Sequence, residues 1–417
     1  MFQSNFFKNI AFLSLAGLIG KVAAAIALPI LARLYSPESF GMYSIYFALL
    51  TAFPLIATLR LDFAVTISRE KNTARILAVG ALILLFIVSV ATIFILWALI
   101  AFDILPFGMT LLPFICFSIF MVGGCDVLRY WGVRYDRHTP YGKSQVAQSF
   151  SLVILQISLF YLGADLSGLV VGDSISRLIM FSVLFFTFKD QIFTNIKWES
   201  FFRVIKAYIL RFITYTITNL LHITPNIVLP IFIASVYSKE ENGYYLLGYQ
   251  VIFSITGVFI SSLSQVFLGK IAHLQKDPAY LLSNLNKVVC VLAVLGLPCL
   301  YILSTYGPDI YVFVFGEKWE KAGQMAQVLA PAIYAQLVLA PVLSVFIVLK
   351  QPHKQLVIDF VWACMTILCL YAAWYYEMNV LEMLSAFSNV TIVIFTFFYI
   401  QILYILSKSK KKMERVQ

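Results

Sequence analysis

Two stretches of this chain carry the same motif: LPI at 28–30 followed by YSPESFGMY at 35–43, and LPI at 229–231 followed by YSKEENGYY at 237–245. Each copy stands at the end of a long apolar run. The copies share the pattern YSxExxGxY, with one additional residue before it in the second copy. Such agreement at equivalent places in two apolar segments indicates an internal duplication. We therefore expect the chain to consist of two similar halves.

The composition identifies the class of protein. Of the 417 residues, 61% are apolar and 12% are charged, and the mean hydropathy is +0.89. A soluble chain carries about 25% charged residues, so soluble enzymes, nucleic-acid-binding proteins and secreted disulfide scaffolds are excluded. The six cysteines lie in apolar runs without a CxxC pair and the four histidines are scattered, so we expect neither a metal site nor a cofactor.

Twelve apolar runs reach the length of about 20 residues that a membrane-spanning helix needs. They are 9–32, 41–59, 74–101, 109–130, 144–163, 166–188, 208–236, 243–268, 285–306, 322–349, 355–376 and 380–407. Because six helices per half is an even number, both halves enter the membrane the same way up, which predicts a pseudo-twofold axis along the membrane normal. The expected fold is all-α and polytopic, with about 12 transmembrane helices in two six-helix lobes.

The predicted organisation has four parts: an N-terminal lobe at 1–188, a cytoplasmic interfacial linker helix at 189–207, a C-terminal lobe at 208–407 and a basic cytoplasmic tail at 408–417. The linker helix is predicted because Trp198, Phe201, Phe202 and Ile205 recur at helical spacing, with charged residues around the other side.

The distribution of Lys and Arg sets the orientation. With the N-terminus in the cytoplasm, 24 of the 30 Lys and Arg residues fall on the cytoplasmic side and four on the opposite side. Cytoplasmic connections of membrane proteins carry such an excess, so both termini are expected in the cytoplasm. The net charge of +10 therefore reflects topology, and no nucleic-acid partner is expected.

The motif at 28–43, its recurrence at 229–245 and the short connections resemble the multidrug/oligosaccharidyl-lipid/polysaccharide (MOP) superfamily. Within it, the chain resembles the Wzx-type flippases of O-antigen or capsule repeat units. The resemblance implies a transporter of the bacterial cytoplasmic (inner) membrane that serves lipopolysaccharide or related polysaccharide biosynthesis. It would move an undecaprenyl-pyrophosphate-linked oligosaccharide to the periplasmic leaflet by alternating access, in contact with membrane lipid. Coupling to a proton or sodium ion, and a complex with a polymerase and a chain-length regulator, stay open.

Two polar residues near the middle of spanning runs are candidates for binding the substrate. Lys21 and His222 each lie eight residues before the proline of their LPI motif. A charge in a spanning segment costs about 2.5–3.5 kcal/mol and usually faces a cavity. The pseudo-twofold would set Lys21 and His222 opposite each other, with Asn219 and Asn226 on the same face as His222. We predict a polar midplane site for the anionic head group, against the alternatives of a structural ion pair and ordinary packing.

Other charged residues form local pairs. Asp173 and Arg177 stand at i, i+4, a favourable order for an intrahelical pair that is either structural or part of a gate or ion-coupling site. Asp126 and Arg129 form a similar i, i+3 pair. Together with Arg60 and Asp62, which follow the second span, they are expected either to rim the inner mouth of the cavity or to be ordinary interfacial residues.

Five further residues complete the candidates. Asp359 has no local partner in its run and is a candidate proton carrier. Pro29 and Pro230 interrupt spanning helices and are predicted hinges. Gly41 and Gly243 are expected to open the following helix after a tight turn.

Two alternatives to the flippase remain. A cation-coupled multidrug antiporter of the same superfamily would be expected to use membrane-embedded carboxylates, whereas the charge near the middle of the first run is Lys21. A membrane polymerase or ligase of the same pathway would carry a large periplasmic loop. The longest polar segment on that side is only about 307–321 and holds no histidine, which disfavours an enzyme.

Overall fold

A computed structural model describes residues 20, 22–102, 108–194, 200–253, 256, 278–348 and 352–414, and these residues form helices without any strand. The helices are α1 (Val22–Leu34), α2 (Pro37–Thr58), α3 (Leu61–Ile67), α4 (Lys71–Ala101), α5 (Leu112–Arg134), α6 (Thr139–Tyr161), α7 (Leu166–Ile192), α8 (Phe201–Phe232), α9 (239–253), α10 (Pro278–Phe315), α11 (Glu320–Val348), α12 (Pro352–Tyr375) and α13 (Val380–Glu414).

The helices confirm a polytopic, all-α membrane protein. Each of the twelve predicted spans coincides with one helix as far as the described residues extend, and eight helices are long and apolar enough to cross a membrane. The additional helix, α3, has seven residues and is therefore too short to register as a span. The six-plus-six arrangement and its symmetry axis stay predictions.

The chain forms two compact units, Met1–Gly243 and Tyr244–Gln417. In the first unit, one buried cluster around Trp131 joins α3, α4, α5, α7 and α8, and a second around Tyr46 joins α2, α4, α5 and α7. In the second unit, a cluster around Trp362 joins α10, α12 and α13. Helix α8, which carries the second LPI motif, thus packs with the helices of the first copy.

Two segments differ from the sequence-based expectations. Residues 201–206 are the first turns of α8 and not a separate interfacial helix, because Phe201 is buried and Ile205 packs on Gly80 of α4; residues 195–199 lie outside the described chain. The polar segment 307–321 is largely helical, because α10 continues beyond a kink at Tyr306 to Phe315.

The kink in α10 has a clear chemical cause. Pro308 has no N–H group, so the carbonyl of Ser304 one turn earlier loses its usual partner. Gln327 of α11 supplies the missing donor, with Nε2 at 2.5 Å from the Ser304 oxygen. A side chain from a neighbouring helix therefore stabilises the break.

The two motif copies contact each other through their glycines. A Cβ atom added to Gly41 would lie 1.7 Å from the carbonyl oxygen of Lys239, and one added to Gly243 would lie 1.8 Å from that of Pro37. Asn242 Nδ2 also donates to the Gly41 oxygen at 2.7 Å. The glycines thus lie inside α2 and α9 and permit close backbone approach, which corrects the expected tight turns. Pro37 and Lys239 occupy the same motif position, so the contact is reciprocal, as a local two-fold between the copies would produce.

The spacing that the two motif copies share also has a local explanation. Ser36 Oγ accepts a hydrogen bond from the Ser39 amide at 3.1 Å, and Ser238 Oγ accepts one from the Glu241 amide at 3.0 Å. Each serine caps the helix that follows it. Tyr35, between α1 and α2, donates to the Gln156 carbonyl at 2.7 Å, and burial together with nearby Asp165 raises its pKa to about 12.

The predicted hinge prolines lie in helices. Pro230 is buried in α8, three residues before a π-helical turn at Ile233–Tyr237. Such turns mark places where helical hydrogen bonding is interrupted. Pro29 lies in α1. Movement about either residue stays a prediction.

Candidate functional site

A polar cavity of about 250 Å³ lies within the first unit, between α2, α3, α5 and α7. Its polar lining consists of Arg60, Asp62, Asp126, Arg177, Thr51 and Thr58. Apolar side chains, including Phe47, form the remaining wall. Four of these residues are candidates from the sequence, and the fold brings them together from α3, α5, α7 and the turn after α2: Arg60, Asp62, Asp126 and Arg177.

The connection between α2 and α3 sets the direction of two lining side chains. Leu59 and Arg60 both adopt left-handed conformations, with φ of 47° and 60°. Non-glycine residues rarely do so, and strained backbone of this kind concentrates at functional sites. Thr58 Oγ1 donates to Asp62 Oδ1 across the break at 3.2 Å. This sharp turn places Arg60 and Asp62 in the cavity wall.

The side chain of Arg60 forms no hydrogen bond with the described residues. Its Nε atom is buried and lacks an acceptor, and its guanidinium lies 5.3 Å from the ring centre of Phe63. A buried donor without an acceptor is unfavourable by about 1–3 kcal/mol. The group is therefore suited to a ligand that supplies an acceptor.

Asp126 and Arg129 form the predicted i, i+3 ion pair in α5. Arg129 Nη2 lies 3.0 Å from Asp126 Oδ1, and the guanidinium lies 4.7 Å from the Tyr130 ring centre and 5.7 Å from that of Tyr141. Arg129 Nε is buried without an acceptor. Asp126 lines the cavity, whereas Arg129 is not part of the lining and contacts the Asp126 carboxylate.

The Asp173–Arg177 pair also forms as its spacing predicts. Arg177 Nε lies 2.5 Å from Asp173 Oδ2, and the same carboxylate accepts hydrogen bonds from Tyr46 at 2.6 Å and Tyr43 at 3.4 Å. Asp173 is 1% exposed. Arg177 lines the cavity, and its side chain makes no other hydrogen bond with the described chain, so its terminal amino groups are available to a ligand.

Two other arginines have roles that the sequence did not indicate. Arg134, at the end of α5, donates to the carbonyls of Val65, Ser68 and Arg69 at the end of α3. Arg75 of α4 donates to the Gln191 carbonyl of α7 at 2.9 Å. In the sequence, both are positive charges on the predicted cytoplasmic side, with no further pattern around them. Their partners are backbone carbonyls, which no side-chain pattern reveals.

Among the described residues, the remaining candidates are not part of the cavity lining. Lys21 lies outside the described residues, so its pairing with His222 stays a prediction. His222 is half-buried in α8, Asn226 is exposed, and Asn219 Nδ2 donates to the Tyr215 carbonyl of its own helix at 2.7 Å. Asp359 is buried in α12 of the second unit.

Comparison with known proteins identifies the family of this chain. A family model described as "Polysaccharide biosynthesis protein" matches residues 30–324. The chain belongs to this family. A search of curated proteins gives no match.

Solved structures agree with the fold of this family member. The chain is similar to "Lipid II flippase MurJ, inward closed conformation", at 13% identity and TM-score 0.74 over 97% of this chain and 91% of that one. It is similar to an inward-facing multidrug resistance MATE family transporter of the MOP superfamily, at 16% identity and TM-score 0.63 over 97% and 95%. It is also similar to a MOP superfamily transporter from Pyrococcus furiosus, at 15% identity and TM-score 0.54 over 96% of each chain. These likenesses confirm the helical membrane-protein fold that the sequence resemblance predicted.

Proposed function

We propose that this protein is a flippase for an undecaprenyl-pyrophosphate-linked oligosaccharide repeat unit of O-antigen, capsule or a related polysaccharide. It moves this lipid from the cytoplasmic to the periplasmic leaflet of the bacterial inner membrane by alternating access. The observation that carries the proposal is a polar cavity inside a membrane-spanning unit of a polysaccharide biosynthesis protein, lined by Arg60 and Arg177 with unfilled donors.

The physical need for such a cavity follows from the substrate. Sugars and a pyrophosphate cannot cross hydrocarbon alone, because unpaired polar groups and charges are costly to bury. Arginine donors in a cavity replace the lost water hydrogen bonds. With a negative cytoplasm, outward movement of two negative charges releases about 4–5 kcal/mol per 100 mV, so the membrane potential favours export, and coupling to a proton or sodium ion stays open.

The pyrophosphate-binding part of this proposal rests on Lys21 and His222, the equivalent positions of the two motif copies. Facing each other at the midplane, they would hold the anionic group while the lipid tail remains in the bilayer. The double variant Lys21→Ala, His222→Ala is expected to abolish transport at unchanged expression. Normal transport by that variant would remove this assignment.

A second candidate, the cation-coupled multidrug antiporter, is favoured by one observation. Asp62 and Asp126 line the same cavity as the arginines, and carboxylates of this kind attract cations. An antiporter would lower the cellular content of cationic dyes, and its loss would sensitise cells to cationic drugs.

The experiment that separates the two functions uses a strain deleted for this gene. Undecaprenyl-pyrophosphate-linked repeat units are quantified by mass spectrometry beside surface polysaccharide, before and after complementation. Accumulated single repeat units with loss of surface polymer support the flippase. Unchanged lipid-linked sugar together with sensitivity to cationic drugs supports the antiporter instead.

A further inference from the structure

The charge balance of the cavity in the first unit is informative about its ligand. Its lining holds two guanidinium groups, Arg60 and Arg177, and two carboxylates, Asp62 and Asp126, so the formal charge of the lining is zero. An anion would meet repulsion from both carboxylates, and a cation would meet repulsion from both guanidinium groups. A neutral group that donates and accepts hydrogen bonds meets neither.

The lining also contains both hydrogen-bond donors and hydrogen-bond acceptors that have no partner among the described residues. Asp62 accepts one hydrogen bond, at Oδ1 from Thr58, and Asp126 is paired through Oδ1 with Arg129. The second oxygen of each carboxylate has no donor among the described residues. Arg60 and the terminal amino groups of Arg177 correspondingly have no acceptor there. A sugar hydroxyl, with one donor and two acceptor sites, satisfies both kinds of group.

The size and the apolar wall of the cavity fit the same ligand. Its volume of about 250 Å³ lies below the roughly 300–1,000 Å³ of sites for drug-sized molecules. Phe47, Pro54 and Val122 form an apolar surface beside the charged groups. A pyranose ring has an apolar C–H face and a hydroxyl rim, so it can cover the apolar wall while its hydroxyls reach the charged side chains.

We infer that this cavity is a sugar subsite, which binds one sugar ring of the transported head group through its hydroxyls and not through the phosphates. The inference rests on the proposed function and assigns the sugar to the first unit. Asp62 and Asp126 accept from the hydroxyls, and Arg60 and Arg177 donate to them. The αL turn at Leu59 and Arg60 sets two of these four groups in place.

Full-length protein in phosphatidylethanolamine–phosphatidylglycerol nanodiscs tests the inference by calorimetric titration. Three probes are used: the oligosaccharide released by mild acid from the host's own lipid-linked repeat units, inorganic pyrophosphate, and tetraphenylphosphonium. The variants are Asp62→Asn, which retains the oxygen that Thr58 contacts, and Arg60→Gln. Asp190→Asn and Arg69→Gln make the same changes at exposed positions of the same unit and serve as matched controls.

A sugar subsite predicts that both variants weaken oligosaccharide binding about tenfold, which corresponds to about 1.4 kcal/mol, while both controls bind normally. A phosphate site would instead show pyrophosphate binding that strengthens in Asp62→Asn and weakens in Arg60→Gln. A cation site would show the reverse signs for tetraphenylphosphonium. Either opposite-sign pattern, or wild-type protein that does not bind the oligosaccharide at millimolar concentration, overturns the inference.

Thermal unfolding checks that each variant is folded. If Asp62→Asn is unstable, Thr51→Val, at an exposed position of the lining, replaces it. A smaller loss of oligosaccharide affinity is then expected. The deletion strain separates the two proposals. Accumulated repeat units with unaltered oligosaccharide binding in the variants would disprove the subsite alone, whereas unchanged lipid-linked sugar would disprove the flippase itself.

Discussion

The two ends of α2 differ in whether their polar groups have hydrogen-bond partners. At its start, Ser36 caps the helix and Gly41 lies in backbone contact with the second motif copy. At its end, Leu59 and Arg60 adopt strained conformations and Arg60 keeps a buried donor without an acceptor. Satisfied groups and close packing hold the unit together at one end. Unsatisfied groups at the other end, about 33 Å away along the helix, are available to a ligand.

Substitution at the start of α2, where Gly41 is in backbone contact, is expected to have the largest effect on stability. Gly41→Val places side-chain atoms where the Lys239 carbonyl already lies, and rigid backbone on both sides cannot yield. We expect a loss of more than about 4 kcal/mol in the free energy of unfolding, seen as failure to accumulate in the membrane. Gly108→Ala is the control, because the nearest atom to its added Cβ lies at 3.5 Å. Equal behaviour of the two variants would contradict the close-contact explanation.

The middle of α2 is tied to α7 by the buried carboxylate of Asp173, which contacts Tyr43, Tyr46 and Arg177. Asp173→Ala leaves the Arg177 guanidinium buried without its partner, and we expect a loss of about 3 kcal/mol in stability. The double variant Asp173→Leu, Arg177→Met removes both charges and should recover most of that loss in thermal unfolding. No recovery would indicate that the tyrosine contacts, and not the charge pair, carry the stability.

Arg134 of α5 fastens the end of α3, the helix that follows the strained turn. Arg134→Ala removes the donors to the carbonyls of Val65, Ser68 and Arg69, for an expected loss of about 2 kcal/mol. Arg69→Ala, at an exposed side chain, should unfold at the wild-type temperature. An unchanged unfolding temperature in Arg134→Ala would show that α3 is held by its apolar contacts alone.

The smallest effect on stability is expected at Arg60. Asn adopts the left-handed conformation readily, so Arg60→Asn keeps the turn but replaces the long, charged guanidinium by a short, neutral amide. We expect stability within about 1 kcal/mol of wild type, with the proposed repeat-unit transport lowered at least tenfold. This is measured as accumulated lipid-linked repeat units in the complemented deletion strain. A large loss of stability would mean that Arg60 mainly stabilises the fold, as the residues at the start of α2 do.

Local patterns in the sequence predicted the helices well, because each span must satisfy a local requirement for apolar residues over a fixed length. The same patterns predicted the Asp173–Arg177 and Asp126–Arg129 pairs, since i, i+3 and i, i+4 neighbours meet on any helix. They did not predict that Gly41 contacts Lys239, or that Arg134 holds α3. Those contacts join residues distant in the chain and involve backbone atoms.

The sequence by itself determined a multi-pass helical membrane protein with a duplicated motif. Hydrocarbon accepts only apolar segments whose backbone groups are bonded internally. Only the tertiary structure decided which intramembrane charges share a cavity. Arg60, Asp62, Asp126 and Arg177 lie on three helices and a turn, and their meeting depends on a left-handed break that no periodicity encodes. The zero net charge of that cavity, and the sugar ligand inferred from it, follow from this meeting and from no single segment.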